Sequence, residues 1–175
     1  MKWGGGEGIV EGGQPKGETM RKLACAAIVA VLGFAVAAGA AVPVQIGIVG
    51  DTVQLFGAER EVIGLKLNLP YAENDEVTGL DLGIAGGGGT IRGIRLNAIN
   101  LSDVMSCGFE VGLVNIDEAA TGFQLGLVNI VKGKMDGLQI GLLNHVGGLH
   151  GVQIGLINII DTGHVKMLPI VSWSF

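Results

Sequence analysis

A short motif, in which glycine, apolar and polar residues alternate, repeats along most of the chain and constrains its fold more than any other feature. The clearest copies read GLQIGLLN and GVQIGLIN. Successive copies are separated by steps that alternate strictly between 14 and 15 residues, and such a fixed period indicates a repeat architecture. The copies begin at residues 50, 64, 79, 93, 108, 122, 137 and 151.

Each copy has the two-residue periodicity of a β-strand. Positions 2, 4 and 6 are apolar, as in Phe123, Leu125 and Leu127, whereas positions 1 and 5 are mostly glycine. This alternation predicts a strand with one apolar face, and glycine at every fourth residue argues against a helix. Position 3 is polar in every copy, and we take it as the candidate functional position: Lys66, Asp81, Arg95, Glu110, Gln124, Gln139 and Gln153.

Two all-β architectures fit this array. The first is an antiparallel meander of about 9–10 short strands closed as a small barrel, which leaves no exposed sheet edge. A two-residue loop at Lys132-Gly133 would then pair Leu127 with Leu138. The alternative is a parallel β-solenoid with two strands in each 29-residue coil.

Charge and amide patterns favour different architectures. A 29-residue coil would stack Lys66 on Arg95 and Asp81 on Glu110, and like charges directly opposite each other are destabilising. In the meander, the signs alternate between neighbouring strands. The solenoid has its own support in Asn100, Asn115, Asn129, Asn144 and Asn158, which would form an inward ladder of stacked amides. On these grounds we expect the meander.

The apolar face is expected to meet lipid. Hydrophobic residues make up 49% of the chain and charged residues 15%, against about 25% charged residues in average soluble domains, and the mean hydropathy is +0.54. In a membrane barrel the glycines and the polar position line the lumen. Lys66, Asp81, Arg95 and Glu110 would then fill the lumen as an ion-pair network.

The amino-terminal part of the chain reads as a leader. Met20-Arg21-Lys22 precedes an uncharged apolar run that ends in Ala38-Gly39-Ala40, and this order predicts a secretory signal peptide over residues 20–40. We expect cleavage after Ala40, residues 1–19 to reflect a mis-assigned start, and residues 41–175 to form a single β-repeat domain.

The array resembles a family of bacterial surface-repeat proteins in which GLQIGLxN strands follow a signal peptide and a short aromatic tail closes the chain. GLQIGLLN, GVQIGLIN and the final Trp173-Ser174-Phe175 carry the resemblance. It implies a location at the cell surface or outer membrane and supplies no catalytic residues.

Other candidate sites have simpler explanations. His145 and His150 flank one loop and suggest either a metal site or solvated turn residues. Gly86 to Gly89 has no following helix, so a flexible turn explains it better than a phosphate loop. The acidic stretch Glu73–Glu76 suggests a weak calcium site or an exposed hairpin turn, and Cys107 suggests a free thiol in a turn.

These observations predict a non-enzymatic envelope protein with a structural or interaction role. Outer-membrane lipid is the expected partner, with an envelope or extracellular protein as a second partner. The alternative is a secreted soluble protein that binds a partner along its repeat face. The net charge of −5 and the lack of a basic block argue against nucleic acid. We expect no catalytic residues, cofactor or metal.

Overall fold

The computed structural model describes residues 41–49, 52–163 and 165–175, and this part of the chain is built entirely from β-strands. The predictions for residues 1–19 and for the signal peptide at residues 20–40 lie outside the described residues. The strands are β1 Val42–Val49, β2 Val53–Gln54, β3 Val62–Ser102, β4 Met105–Val111, β5 Val114–Asp117, β6 Ala120–Leu125, β7 Val128–Ile160 and β8 Met167–Ser174.

Most strands pair in parallel with the equivalent strand one repeat away. Gly93 pairs with Gly108 at an offset of 15 residues, and Gly108 pairs with Gly122 at an offset of 14. Each repeat is therefore one complete coil, and successive coils stack as a β-solenoid. The long strands β3 and β7 each extend through several coils without interruption.

The solenoid corrects the expectation of a closed antiparallel barrel. Leu138 pairs in parallel with Phe123, whereas the meander required it to pair with Leu127. Lys132 and Gly133 lie within β7 instead of forming a hairpin turn. Alternating apolar and polar residues suit parallel and antiparallel strands equally well, so periodicity alone did not separate the two folds.

The coil length corrects the charge argument as well. Coils of 14 or 15 residues place Arg95 beside Glu110, not beside Lys66. The sequence order Lys66, Asp81, Arg95, Glu110 therefore alternates in sign between neighbouring coils of the solenoid. Only the assumed 29-residue coil brought like charges together.

Glycine at repeat position 1 forms a column along the solenoid. Its seven members have φ angles between 121° and 146°, which side chains with a Cβ rarely adopt. In Gly79 and the five glycines that follow it, an added Cβ would also collide with the carbonyl oxygen of the preceding glycine in the column. The column comprises Gly64, Gly79, Gly93, Gly108, Gly122, Gly137 and Gly151.

Antiparallel strands flank the stack at both ends. At the first coil, β2 pairs with β1 through Gly47 and Val49. At the last coil, β8 runs antiparallel to the end of β7, from Gly151 opposite Ser174 to Ile159 opposite Met167. These strands cover part of the backbone edge that a parallel stack leaves open.

The interior contains two small apolar clusters and a larger set of polar side chains. One cluster comprises Ala120, Val131, Met135, Val146, Leu149 and Ile160. The other comprises Val42, Val62, Val77 and Ile91, with Phe56 packed against it. The rest of the interior is occupied by the polar face of the repeat, while much of the apolar face points outward.

Candidate functional site: the polar column and the outer apolar surface

The residues at repeat position 3 form a buried polar column through the solenoid. All seven candidate residues, Lys66, Asp81, Arg95, Glu110, Gln124, Gln139 and Gln153, are at most 2% exposed. Gln45 adds an eighth member because it pairs with Lys66 in the register of β1 and β3. Gln45 was not predicted because its coil begins at residue 43, which is 21 residues before Gly64 and outside the regular spacing, although Gln45-Ile46-Gly47 matches the repeat motif.

Arg95 links the charged half of the column. Its guanidinium Nε lies 3.3 Å from Asp81 Oδ2 and its Nη1 lies 3.0 Å from Glu110 Oε1. Nη1 also lies 3.6 Å from Oδ1 of Asp117, a third buried carboxyl group. Asp117 was not predicted because it follows the repeat motif, at a position where its paired residues in the neighbouring coils are serine and valine.

The four-glycine run provides space for the long cations. Lys66 Nζ donates to the carbonyl of Gly87 at 2.6 Å, and Arg95 Nη2 donates to the carbonyl of Gly86 at 2.8 Å. An added Cβ at Gly86 would lie 2.9 Å from Asp81 Oδ2. The expected flexible turn is therefore wrong, since Gly86 to Gly89 lie within β3 and Gly86, Gly87 and Gly88 are buried.

The second half of the column is a neutral ladder of glutamines. The Gln153 side chain donates to Gln139 at 2.8 Å, and Gln139 donates to Gln124 at 2.7 Å. Gln124 in turn donates to Glu110 Oε2 at 3.0 Å. The ladder thus continues the charged half without leaving a gap in the hydrogen bonding.

The asparagine ladder expected for a solenoid is present. The side-chain amide of each asparagine donates to the side-chain oxygen of the next, at distances of 2.7–2.8 Å. Glycine at position 5 makes room for it, since an added Cβ at Gly126 would lie 2.8 Å from the side chains of both Asn115 and Asn129. The ladder comprises Asn100, Asn115, Asn129, Asn144 and Asn158, all fully buried.

Backbone groups close the first end of the polar column and the last end of the asparagine ladder, whereas Gln153 Oε1 at the last end of the column is buried without a hydrogen-bond partner. Gln45 donates to the Phe56 carbonyl at 2.7 Å and accepts from the Phe56 amide at 3.0 Å. At the other end, the Asn158 side chain donates to the Leu168 carbonyl of β8 at 3.1 Å. The terminal segments therefore satisfy polar groups that an open-ended stack would leave without partners.

Burial shifts two ionisation equilibria in the column. Burial lowers the pKa of Lys66 to about 8, with Arg95 adding to the shift and Asp81 opposing it. Burial and the neighbouring Glu110 raise the pKa of Asp117 well above its usual value. A proton on Asp117 leaves two buried cations, Lys66 and Arg95, facing the two carboxylates Asp81 and Glu110.

The column is closed to solvent, so its chemistry is internal pairing rather than access to a ligand. Its carboxyl groups pair with Arg95, and its two cations also donate hydrogen bonds to glycine carbonyls. Buried charges require such pairing because removal from water is costly. The structure therefore gives these residues a role in holding the coils in register.

The surface available to a partner is an apolar ridge at repeat position 6. The chain bends there, between β4 and β5 for example, and leaves the side chain half exposed or more. Its six large members are 50–66% exposed: Leu69, Ile84, Leu113, Leu127, Leu142 and Leu156. Outward residues on both sides of the ridge are also apolar, as Phe109, Leu125 and Ile99 show.

Charged side chains are excluded from this surface. From positions 2 to 8 of the seven coils that begin at Gly64 to Gly151, the only charged residues are the buried Lys66, Asp81, Arg95 and Glu110. The outward charges follow the motif and form a charged edge, with the ion pairs Arg92–Glu76, Lys132–Glu118 and Lys134–Asp136. The molecule thus has an apolar and a charged part, separated around each coil.

The remaining candidate residues lie on or near the charged edge. His145 lies 3.2 Å from Asp161, and His150 lies 3.3 Å from Asp136. Asn74 is fully buried and donates to the Arg60 carbonyl at 3.3 Å, so the stretch Glu73–Glu76 belongs to β3 and is not a hairpin turn. Cys107 is a free thiol within β4 rather than in a turn.

Neither a metal-binding cluster nor a membrane-spanning helix adds to these candidates in the described ranges. No three histidine, cysteine, aspartate or glutamate residues in these ranges are grouped closely enough to hold a metal ion. The same ranges contain no helix long and apolar enough to cross a membrane. Comparisons with protein-family models, curated proteins and solved structures find no match to this chain.

Proposed function

We propose that this chain is a non-enzymatic protein of the bacterial cell envelope whose apolar ridge inserts into the surface of a lipid layer. The observation that carries the proposal is the inverted distribution of side chains, with charged residues paired inside and leucines exposed outside. A contiguous exposed apolar surface of this kind is typical of membrane and protein interaction sites.

The separation of apolar and charged side chains around each coil favours a protein that lies in the membrane surface. The ridge and its flanks are apolar along the stack, while the exposed ion pairs lie at a different bend of each coil. This segregation is the arrangement found in interfacial amphipathic elements, which bury an apolar face and keep a charged face in water. The envelope location rests on the leader sequence and on the resemblance to bacterial surface-repeat proteins.

Flotation with vesicles tests lipid binding. Because the chain is acidic overall, the vesicles should be made of zwitterionic phosphatidylcholine, to which a ridge would bind without electrostatic attraction. We expect the protein to float with the vesicles at low and high salt. The double variant Leu113→Lys/Leu127→Lys should bind at least about tenfold less well, since burial of a leucine contributes roughly 1.5–3 kcal/mol.

Matched lysines near the charged edge provide the control. Val104 is 58% exposed, close to the 55% of Leu113, and it follows Asp103 in the loop before β4. The double variant Val104→Lys/Thr121→Lys adds the same charge and should float like the unmodified protein. If the unmodified protein does not float with the vesicles, the lipid proposal fails. A protein partner on the repeat face then becomes the better explanation.

A further inference from the structure

In the part of the chain that the structure describes, no strand pairs with the outer edge of β8 at the end of the solenoid. Among the described strands, β8 pairs only with β7, through one of its two edges. The other edge presents backbone N–H and C=O groups that a further strand can bind. Such an edge is a template for pairing with another chain.

The second half of this edge lacks the usual protection against pairing. Proteins commonly guard exposed edges with charged side chains, bulges or proline, yet no charged side chain occurs from Met167 to Phe175. Pro169 and a register shift opposite Gly155–Asn158 interrupt only the first half of the strand. Several of its apolar side chains are exposed: Met167 is 62%, Ile170 70%, Trp173 62% and Phe175 85% exposed.

The backbone at Ile170 holds an apolar side chain outward. Its φ angle of 70° is the only positive value at a non-glycine residue in the described ranges, and a β-branched residue rarely adopts it. Beside β8, a cleft of about 540 Å³ is lined by apolar side chains, such as Ile160, Leu168 and Trp173, together with serine and threonine residues. The end of the solenoid therefore offers a strand edge and an adjoining cleft of mixed polarity.

We propose that β8 pairs antiparallel with β8 of a second copy of this chain, about a two-fold axis, to form a dimer. A two-fold axis brings a strand edge against itself in the antiparallel direction, so one uncharged strand supplies both halves of the interface. The other end of the stack differs, because β2 covers part of β1 and Glu59, Arg60 and Glu61 lie nearby in the chain. Two-fold pairing closes after two copies, whereas head-to-tail stacking would continue.

Sedimentation velocity tests this proposal. The protein is expressed from the full sequence, purified in the form that results, and measured in a non-ionic detergent that covers the apolar ridge. We expect a dimer whose dissociation constant rises at least tenfold in Ile170→Lys and in Trp173→Lys, because each variant sets two like charges near each other across the axis. Both side chains are largely exposed, so the β-sheet circular dichroism spectrum should not change. The ridge variant Leu127→Lys should remain a dimer.

Disulfide crosslinking adds a measurement that does not depend on stability. In a Cys25→Ser/Cys107→Ser background, which leaves no other cysteine in the sequence, single cysteines placed at 170, 171, 172 and 173 should crosslink with one maximum, at the residue nearest the axis. A monomeric unmodified protein, dimers that persist in both lysine variants, or dimers lost in Leu127→Lys would each overturn the proposal. The ridge variants test lipid binding and the β8 variants test dimerisation, so the failure of one proposal is distinguishable from the failure of the other.

Discussion

Arg95 holds three carboxyl groups together in the middle of the solenoid. It contacts Asp81 in the coil on one side, and Glu110 and Asp117 in the coil on the other. None of these residues is more than 2% exposed, so no water replaces a lost partner. Their arrangement makes the column sensitive to the loss of a single cation.

Arg95→Met should therefore destabilise the protein by roughly 3–5 kcal/mol, because removing one partner leaves uncompensated buried charge. The matched control is Arg92→Met. Arg92 pairs with Glu76 on the charged edge, where both side chains are about half exposed, and such a pair contributes at most about 1 kcal/mol. Urea unfolding of both variants measures the difference, and equal losses would show that the column is not the sensitive element.

Lys66 should make stability depend on alkaline pH. Its pKa is lowered from 10.5 to about 8 in the fold, so between these values the unfolded chain binds more protons than the folded one. The free energy of unfolding should then rise with pH across this window, by roughly 3 kcal/mol. Urea midpoints measured from pH 7.5 to 10.5 test the rise.

The slope should disappear in Lys66→Met and persist in Lys132→Met. Lys132 is 60% exposed and pairs with Glu118 on the charged edge. Its substitution therefore removes an exposed positive charge and leaves the buried Lys66 in place. A rise of the same size in Lys66→Met would assign the pH dependence to another group.

At the scale of single residues, the sequence identified the polar residues at position 3 but not all of the residues that contact them. The polar residue at position 3 stands out because its neighbours are apolar or glycine, and all seven candidates lie inside the solenoid. Asp117 carries no such signal, because its role depends on how the chain bends after the motif. Gln45 does carry it, within Val44-Gln45-Ile46-Gly47, but this copy lies outside the regular spacing of 14 and 15 residues.

The glycine column sets how closely the strands of successive coils approach. Each member adopts a positive φ, and from Gly79 onward its backbone passes next to the glycine of the preceding coil. Because the same position recurs in every coil, a side chain there disturbs two neighbouring coils. Composition alone suggests flexibility for a glycine-rich chain, whereas here glycine permits close stacking.

Gly122→Ala should destabilise the protein by at least about 1–3 kcal/mol, because it combines backbone strain at φ 121° with a collision against the Gly108 carbonyl. Gly148→Ala is the matched control, since its φ is not positive and its added Cβ would first meet Thr162 Oγ1 at 3.4 Å. Thermal unfolding followed by circular dichroism compares the two. Similar melting temperatures would contradict a special role for the column.

At the level of elements the sequence predicted strands but misassigned their pairing. Period-two alternation identified each copy as a strand, and the asparagines pointed to stacked coils. The error came from assuming two strands per coil, which doubled the repeat and set Lys66 against Arg95. Direct stacking of neighbouring copies instead satisfies the charges and the asparagine ladder together, because Arg95 meets Glu110 while Asn100 meets Asn115.

The whole molecule is a stack in which one coil resembles the next, so it should tolerate the loss of a complete coil. Deletion of residues 122–136 would bring Gly137 over Gly108 with an offset of 14 residues. Asn144 would then replace Asn129 beside Asn115, and Gln139 would replace Gln124 beside Glu110. In repeat proteins, stability is close to a sum of terms from each repeat and its neighbours, so the shortened chain should fold with reduced stability.

Deletion of residues 122–129 is the control, because it removes about half a coil and puts inward and outward residues out of phase. Circular dichroism and urea unfolding should show a cooperative β-structure for the 15-residue deletion and its loss for the 8-residue deletion, although the latter removes less of the chain. If both deletions unfold the protein, coils are not exchangeable units and the ends must act together. If the longer deletion alone folds, the register of the two ladders, rather than chain length, determines the fold.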